Sequence, residues 1–345
     1  MMPGIDGFET CRLLKEDEAT RDSSVIFMSA LDDTEHKVRG LDLGAVDYIT
    51  KPFQSEEVIA RVNTHLRIRS LEQALAQRNR VLESANEKMR RDLEAAAKLQ
   101  QSLLPTTLND SGAFHFAWRF HPCDELGGDL LNVVRVDDRN MVIYVADVSG
   151  HGVASSLLSV AMHRSLSLRA GQPSLIATPN TDASGYTMTP PAEVLQQLNE
   201  MFPMRSNGGH FITAMYGVLD LSSGLLNYSM AGHPGPLLIR RGESPMMFDH
   251  PSFPIGVVDD GDYQTIQFQF KPGDRLTLFS DGLIEAMNME NDLFGSDRLG
   301  VAFDHDPNTG LESMIDQAIQ EISTWQAGRS FDDDLSVLAV EMTGA

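Results

Sequence analysis

Between Arg61 and Leu104 the chain runs for 44 residues without a proline or a glycine. The stretch is rich in Leu, Ala, Glu, Gln, Lys and Arg, the residues that lose least on entering a helix, so it predicts one long helix between two segments of different pattern. Leu75, Leu82, Met89, Ala96 and Leu103 recur every seven residues, beside a companion series of Leu71, Arg78, Ala85, Asp92 and Leu99. One seam is apolar throughout and the other is mixed, which fits a weak parallel coiled coil joining two copies of the chain. A single amphipathic helix laid on its own domains is the other reading. Arg78 and Asp92 would weaken a coiled coil but could fix its register. Pro105 ends the helix.

Before the helix the pattern is αβαβα. A helix runs to Lys15, a short strand covers Ser24–Met28, a second helical pattern spans Val38–Leu43, a second strand covers Val46–Ile49, and a third helix opens at Ser55 with Glu56 and Glu57 in its first turn. That order predicts part of a parallel, doubly wound sheet. Met2-Pro3-Gly4, Asp6-Gly7, Ser29-Ala30 after a strand, and Lys51-Pro52-Phe53 resemble the second half of a response-regulator receiver domain. The resemblance matches Ser29 and Lys51 to that family's switch hydroxyl and lysine, and sets its phosphorylated aspartate and acidic magnesium-binding pair upstream of Met1. Residues 1–66 are expected to form a truncated receiver of poor stability on its own, and residues 67–104 a linker.

After Pro105 the pattern changes to short strands. Phe114, Phe116, Trp118 and Phe120 alternate with smaller or polar residues; Leu131–Val136 and Met141–Val148 follow, divided by a turn at Asp137-Asp138-Arg139-Asn140. Helices are predicted over Val153–Arg169, Pro191–Phe202 and Leu311–Trp325, a mobile loop over 171–191, and strands near 211–220, 225–230, 236–240, 264–270, 275–280 and Leu335–Met342. The expected fold class for 105–345 is α+β, two stacked antiparallel sheets flanked by helices.

The charge is distributed unevenly. Residues 105–345 carry 12 Lys and Arg against 31 Asp and Glu, a net of −19, and Lys271 is their one lysine. A nucleic-acid binder replaces condensed counterions with its own cations, so this half excludes that class. No apolar run approaches the roughly 20 residues that span a bilayer, and no basic and apolar leader opens the chain, so neither a membrane nor a secretory route is expected. Cys11 and Cys123 make neither a disulfide framework nor a zinc motif, in keeping with a cytoplasmic location.

Four aspartates stand at the ends of predicted elements: Asp129 after Gly127-Gly128, Asp147 at the end of an apolar strand, Asp281 after Phe279-Ser280 and before Gly282, and Asp333 within Asp332-Asp333-Asp334. Each alone reads as a turn or helix cap. Together at one end of a sandwich they would repel one another unless cations lay between them, and oxygen donors without a Cys or His cluster suit Mg²⁺ or Mn²⁺ over zinc.

The order and spacing of several short motifs resemble the 2C-type metal-dependent protein phosphatases, in their bacterial RsbU/SpoIIE branch. These are Leu99–Pro105, Leu126-Gly127-Gly128-Asp129, Asp147–Gly152, Phe211–Tyr216, Ala231-Gly232-His233-Pro234, Phe279–Ala286 and Asp333-Asp334-Leu335-Ser336. The resemblance implies a serine/threonine phosphatase with two Mn²⁺ or Mg²⁺ ions, bridged by Asp147 with the Val148 carbonyl as a further ligand, Asp129 on one ion and Asp281 and Asp333 on the other. It implies a phosphorylated anti-anti-sigma factor as substrate and a homodimer joined through the linker helix. His151 is a candidate general acid, with substrate contact or helix-end packing as its other roles. His233 is expected to be a buried structural histidine bonded to backbone. The competing reading of the whole chain is a non-catalytic sigma-factor adaptor or signalling scaffold.

Overall fold

The computed structural model describes residues 5–30, 34–105, 112–168, 174–179, 185–304 and 308–343. The chain divides into two compact units between Arg90 and Arg91. No helix among the described residues is long and apolar enough to cross a membrane.

In the first unit, α1 (Gly7–Glu16) begins at Asp6, whose carboxylate accepts the Glu9 amide at 2.8 Å, a side-chain cap for an otherwise unbonded N–H. β1 (Ile26–Ser29), α2 (Thr34–Asp42) and β2 (Asp47–Thr50) follow. The two strands pair in parallel with Ser29 opposite Thr50, the geometry that αβαβα predicts. Cys11, Ala45 and Ile49 are buried, and the Phe8 and Phe27 rings pack 5.2 Å apart. Leu13, Met28, Val38 and Leu41 stay exposed, so this apolar set is only partly covered.

The helix α3 (Ser55–Gln101) is continuous over 47 residues and buries none of them. The expected third receiver helix and the expected linker are therefore one element. Asp47 on β2 ties down its first turns, through Arg61 at 3.0 Å and His65 at 3.1 Å. Leu71, Leu75, Leu82, Met89 and Leu99 are all exposed along it.

The second unit begins with β3 (Phe114–His121), β4 (Leu130–Arg135) and β5 (Asn140–Val148), then α4 (Val153–Ser165), the hairpin β6 (Ala177–Pro179) and β7 (Tyr186–Met188), and α5 (Pro191–Met201). β8 (Ile212–Asp220), β9 (Leu225–Ala231), β10 (Leu237–Ile239), β11 (Met246–Met247), β12 (Ile266–Gln269) and β13 (Arg275–Phe279) lead to α6 (Gly295–Phe303), α7 (Leu311–Trp325) and β14 (Leu335–Met342). Two five-stranded sheets result, ordered β11-β10-β13-β14-β3 and β12-β9-β8-β5-β4. Every pairing within them is antiparallel.

Alternation along β5 shows how the layers are built. Met141, Ile143 and Val145 enter a core shared with Leu276, Leu278 and Leu338 of the other sheet. Val142, Tyr144, Ala146 and Val148 point the opposite way, into a core covered by α4 and α5. A third core lies between the other sheet and α6 and α7, around Phe279, Phe303, Ile315 and Val337. Both faces of the central strands are thus buried, and their sequences read as continuous apolar runs. Each large side chain so enclosed contributes about 1.5–3 kcal/mol.

The structure departs from the sequence expectations in three places. The segment 171–191 contains the β6–β7 hairpin; residues 171–173 and 180–184 lie outside the described residues. α4 stops at Ser165 instead of reaching Arg169, which also lies outside them. There the Ser165 and Ser167 hydroxyls donate to Ala161 and His163 carbonyls, competing with the helix ladder. α6 was not anticipated, because glycines at 295 and 300 lower its helix propensity; burial of Leu299, Ala302 and Phe303 holds it instead.

One buried ion pair tests this packing. The Asp274 carboxylate is fully buried and accepts from Arg240 Nε at 2.7 Å, Arg240 Nη2 at 2.8 Å and the Lys271 amide at 2.9 Å. Asp274→Ala strands those donors, and Arg240 recovers part of the loss through water and Glu243. The expected cost is about 2 kcal/mol, read as a fall of roughly 4–8 °C in melting temperature. An unchanged melting temperature would show that the pair adds nothing net.

Candidate active site

Strand register brings the four aspartates to one end of the sandwich. Leu130 pairs with Ala146, so the next step of the β4–β5 ladder sets Asp129 across from Asp147. In the opposite sheet Phe279 pairs with Val337. Beyond it Ser280 N donates to Ser336 O at 3.0 Å and Ser336 N donates to Ser280 Oγ at 3.0 Å, and Asp281 and Asp333 lie just outside this closure. Asp281 opens a short 3₁₀ turn, Asp281–Leu283.

The carboxylates feel one another. Burial first, and then the Asp147 and Asp334 charges, hold Asp129 well above the usual carboxylate range. Asp147 is pushed up to about 8 by burial and by the charges of Asp281 and Asp333. Asp281 rises to about 6 through burial, Asp333 and Glu285. Asp333 also rises, mainly through burial. Asp129 Oδ2 is buried without a hydrogen-bond partner among the described residues. None of these four has an arginine or lysine ion-pair partner among them either. Such a cluster must keep protons or take up cations. Its all-oxygen donor set, together with the unsatisfied Asp129 oxygen, fits hard divalent ions. The Val148 carbonyl belongs to the same surroundings, since a methyl group at Gly128 would stand 2.7 Å from it.

Asp334 has a different task. It is buried, and its carboxylate accepts the amides of Cys123 at 2.8 Å, Gly128 at 2.6 Å and Asp129 at 3.3 Å. It therefore fixes the loop that presents Asp129. The close approach excludes side chains on both flanks: a methyl at Gly127 would lie 2.5 Å from Asp334 Oδ2, and one at Gly282 would lie 2.2 Å from Asp334 O. The sequence reading selected Asp333 from the aspartate triplet and passed over Asp334. The available signal was its place directly before the apolar strand, where burial is greatest. Ligand atoms of Cys123, Asp333 and Asp334 lie within 4.8 Å of one another, but Asp334 is committed to amides. Burial, with Asp334 beside it, pushes the Cys123 thiol up to about 12, which leaves it a poor ligand.

The turn from β5 into α4 needs glycine, with φ of 80° at Gly150 and 92° at Gly152. His151 stands between them, more than half exposed, with Nδ1 2.7 Å from Asp124 Oδ2. It is close enough to Asp333 to favour that residue's charged form. Ser149 on the same turn is held by His210, whose Nδ1 lies 2.6 Å from the Ser149 carbonyl, and its Oγ accepts the Phe211 amide at 3.0 Å. Asp124 and His210 were not singled out in the sequence, and Gln100 figured only within the Leu99–Pro105 motif, because no local spacing joins them to the aspartates. His233 is buried, as expected, and burial lowers it to about 4. Its Nδ1 meets the Thr213 hydroxyl at 2.9 Å, a side-chain partner beside the expected backbone one, which is at Phe279. Ser29 and Lys51 belong to the first unit, adjacent at the strand ends, with Lys51 N donating to Ser29 O at 2.8 Å.

Comparison with known proteins places this geometry in context. Residues 137–343 match the family described as Stage II sporulation protein E (SpoIIE), and residues 1–63 match the response regulator receiver domain. Phosphoserine phosphatase RsbP of Bacillus subtilis is 26% identical over 201 residues, covering 57% of this chain and 46% of its own length. Phosphoserine phosphatase RsbU of Bacillus subtilis is 25% identical over 210 residues, covering 61% and 58%. The chain thus spans about half the length of these curated relatives. The solved SiaA-PP2C domain of Pseudomonas aeruginosa superimposes with a TM-score of 0.60 over 75% of this chain and 98% of that one, at 20% identity. That is a likeness of fold.

The raised acids set a pH dependence. An unfolded aspartate releases its proton near pH 3.9, while Asp147 in the metal-free fold holds it to about 8. The native state therefore binds the extra proton in between, and its stability falls as pH rises through that window. With EDTA present, the melting temperature is expected to drop between about pH 7.5 and 8.5, a range that lies above the unfolded His titration. Asp147→Asn should flatten that drop. A wild-type profile already flat would mean that Asp147 is ionised throughout.

Proposed function

Because the chain belongs to the SpoIIE family, we propose that it is a metal-dependent serine/threonine phosphoprotein phosphatase. The observation that carries this reading is the group of four mutually repelling aspartates at one end of the sandwich, Asp129 and Asp147 buried and Asp281 and Asp333 partly so, without an arginine or lysine ion-pair partner among the described residues. The names of RsbP and RsbU as phosphoserine phosphatases support the substrate chemistry. On this reading Asp129, Asp147, the Val148 carbonyl, Asp281 and Asp333 would hold two divalent ions. Bound Mn²⁺ or Mg²⁺ would supply Lewis acidity, which acidifies water and offsets charge on phosphoryl oxygens.

The chain's own residues do the rest. Asp334 keeps Asp129 in place through three amides. The turn at Gly150 and Gly152 brings His151 to the rim beside Asp333. With Nδ1 held by Asp124, the His151 ring is oriented to give a proton from Nε2 to the departing seryl or threonyl oxygen. The chain is divided, on this reading, into a receiver portion (1–66), a linker (67–104) and a phosphatase domain (105–345), acting in the cytoplasm. The substrate is a phosphorylated anti-anti-sigma protein. That class rests on the SpoIIE/RsbU resemblance.

Hydrolysis of p-nitrophenyl phosphate and of a phosphoserine peptide, with Mn²⁺ and with EDTA, tests the reading. Activity should require the ion and fall at least about 100-fold in Asp147→Ala. His151→Ala should lower turnover of the peptide by about 10²-fold and spare p-nitrophenyl phosphate, whose leaving group needs no proton. Activity indifferent to EDTA would sink the metal-dependent reading, and equal loss on both esters would remove His151 as the acid.

The heptad seams of α3 remain exposed at Leu71, Leu75, Leu82, Met89 and Leu99, which supports a homodimer formed through this helix. Sedimentation at micromolar concentration should show a dimer that Leu75→Asp with Leu82→Asp converts to monomer. A monomeric wild type would reject it.

A further inference from the structure

We propose that Gln100, in the last turn of α3, is a positioning residue that sets the cation affinity of the Asp129–Asp147 site. The inference rests on the metal-binding reading above, but its evidence is separate. The Gln100 side-chain amide grips both ends of one residue: Nε2 donates to Gly127 O at 2.7 Å, and Oε1 accepts from Gly127 N at 3.3 Å. Nε2 also lies 3.2 Å from Ser159 Oγ, and Ser159 Oγ donates to Ser156 O within α4 at 2.8 Å.

This one amide therefore joins the two elements that deliver the acids. Gly127 precedes Gly128 and Asp129, and α4 is the helix that follows Asp147 through the Gly150–Gly152 turn. Gly127 and Gly128 have no side chain with which to lock their own conformation, and the Asp334 carboxylate against Gly127 and the Val148 carbonyl against Gly128 forbid one. A loop with that much freedom loses the most entropy on being fixed, so its geometry must be imposed from outside. Asp334 grips it at the Gly128 and Asp129 amides, and Gln100 grips it at the Gly127 N–H and carbonyl. Without the second grip Asp129 can pivot about the Asp334 contacts.

The chemistry demands glutamine in particular. The position needs a donor for Gly127 O and an acceptor for Gly127 N on one short planar group, which a carboxamide has and a carboxylate lacks. Glutamate keeps the shape and the acceptor but turns lone pairs toward the Gly127 carbonyl. It also adds a negative charge beside a cluster that is already acidic.

The test is calorimetric titration of Mn²⁺ into the full chain as wild type, Gln100→Ala, Gln100→Glu and Ser102→Ala. Melting temperatures in EDTA are recorded alongside. Ser102 is the control in the same turn, since its hydroxyl donates to Leu99 O within that turn. Both Gln100 variants should bind Mn²⁺ at least about tenfold more weakly, the scale of residues that orient a ligand set, with Ser102→Ala within about twofold of wild type. If Gln100→Ala fails to fold, Gln100→Glu carries the test. Variants that melt earlier yet bind Mn²⁺ as wild type does would reduce Gln100 to a structural contact and overturn the proposal. A wild type that binds no Mn²⁺ would overturn the metal-binding reading itself, and this inference with it.

Discussion

The repulsion among Asp129, Asp147, Asp281 and Asp333 is the strain around which the second unit is arranged. Each is raised by burial and by at least one neighbouring acid, so the metal-free fold bears a standing cost at this end of the sandwich. The rest of the molecule supplies the restraint. Two sheets enter from opposite sides, and three apolar cores hold their strands in place. Asp334 uses its own carboxylate to anchor the loop rather than to join the cluster, accepting from three amides. The division of labour between Asp333 and Asp334, neighbours in sequence, follows from their burial. Asp334 faces the interior amides, while Asp333 stays half-exposed beside His151.

Much of this was legible in the residues. The α+β architecture followed from alternating and continuous apolar runs, and the long helix from a stretch free of proline and glycine. The four aspartates were found because three adjoin a strand and Asp333 lies just before one, and position along a strand is local information. What escaped was either weakly encoded or non-local. α6 has glycines where a helix wants alanine and exists through packing of Leu299 and Phe303. The β6–β7 hairpin has only three residues on each side, too short for a period to show. Gln100, Asp124 and His210 are joined to the site by contacts across 27, 27 and 61 residues of sequence, and no pattern in one chain announces such pairs. His233 shows the intermediate case: its burial could be foreseen, but its hydroxyl partner on the neighbouring strand could not.

The first unit presents a different balance. Its two paired strands and short helices bury few side chains, and the Ser29 and Lys51 backbones meet at one strand end. Asp47 does more than either, since it holds Arg61 and His65 of α3 and so links the small sheet to the helix that runs on to Gln101. The element that emerges from the receiver-like portion is thus the same covalent helix whose last turn touches the Gly127 loop.

β5 has a further consequence for how this chain tolerates change. Its residues alternate between two separate cores, and both are apolar. A substitution there is a local injury, absorbed or not by its immediate neighbours. An inserted or deleted residue is a different kind of event. It exchanges the two sets of side chains wholesale and carries Asp147 off the site with them. The number of residues between the turn at Asp137–Asn140 and Gly150 is accordingly held more tightly than the identity of any one of them. The chemistry at the end of the strand is protected by a count that nine residues keep together.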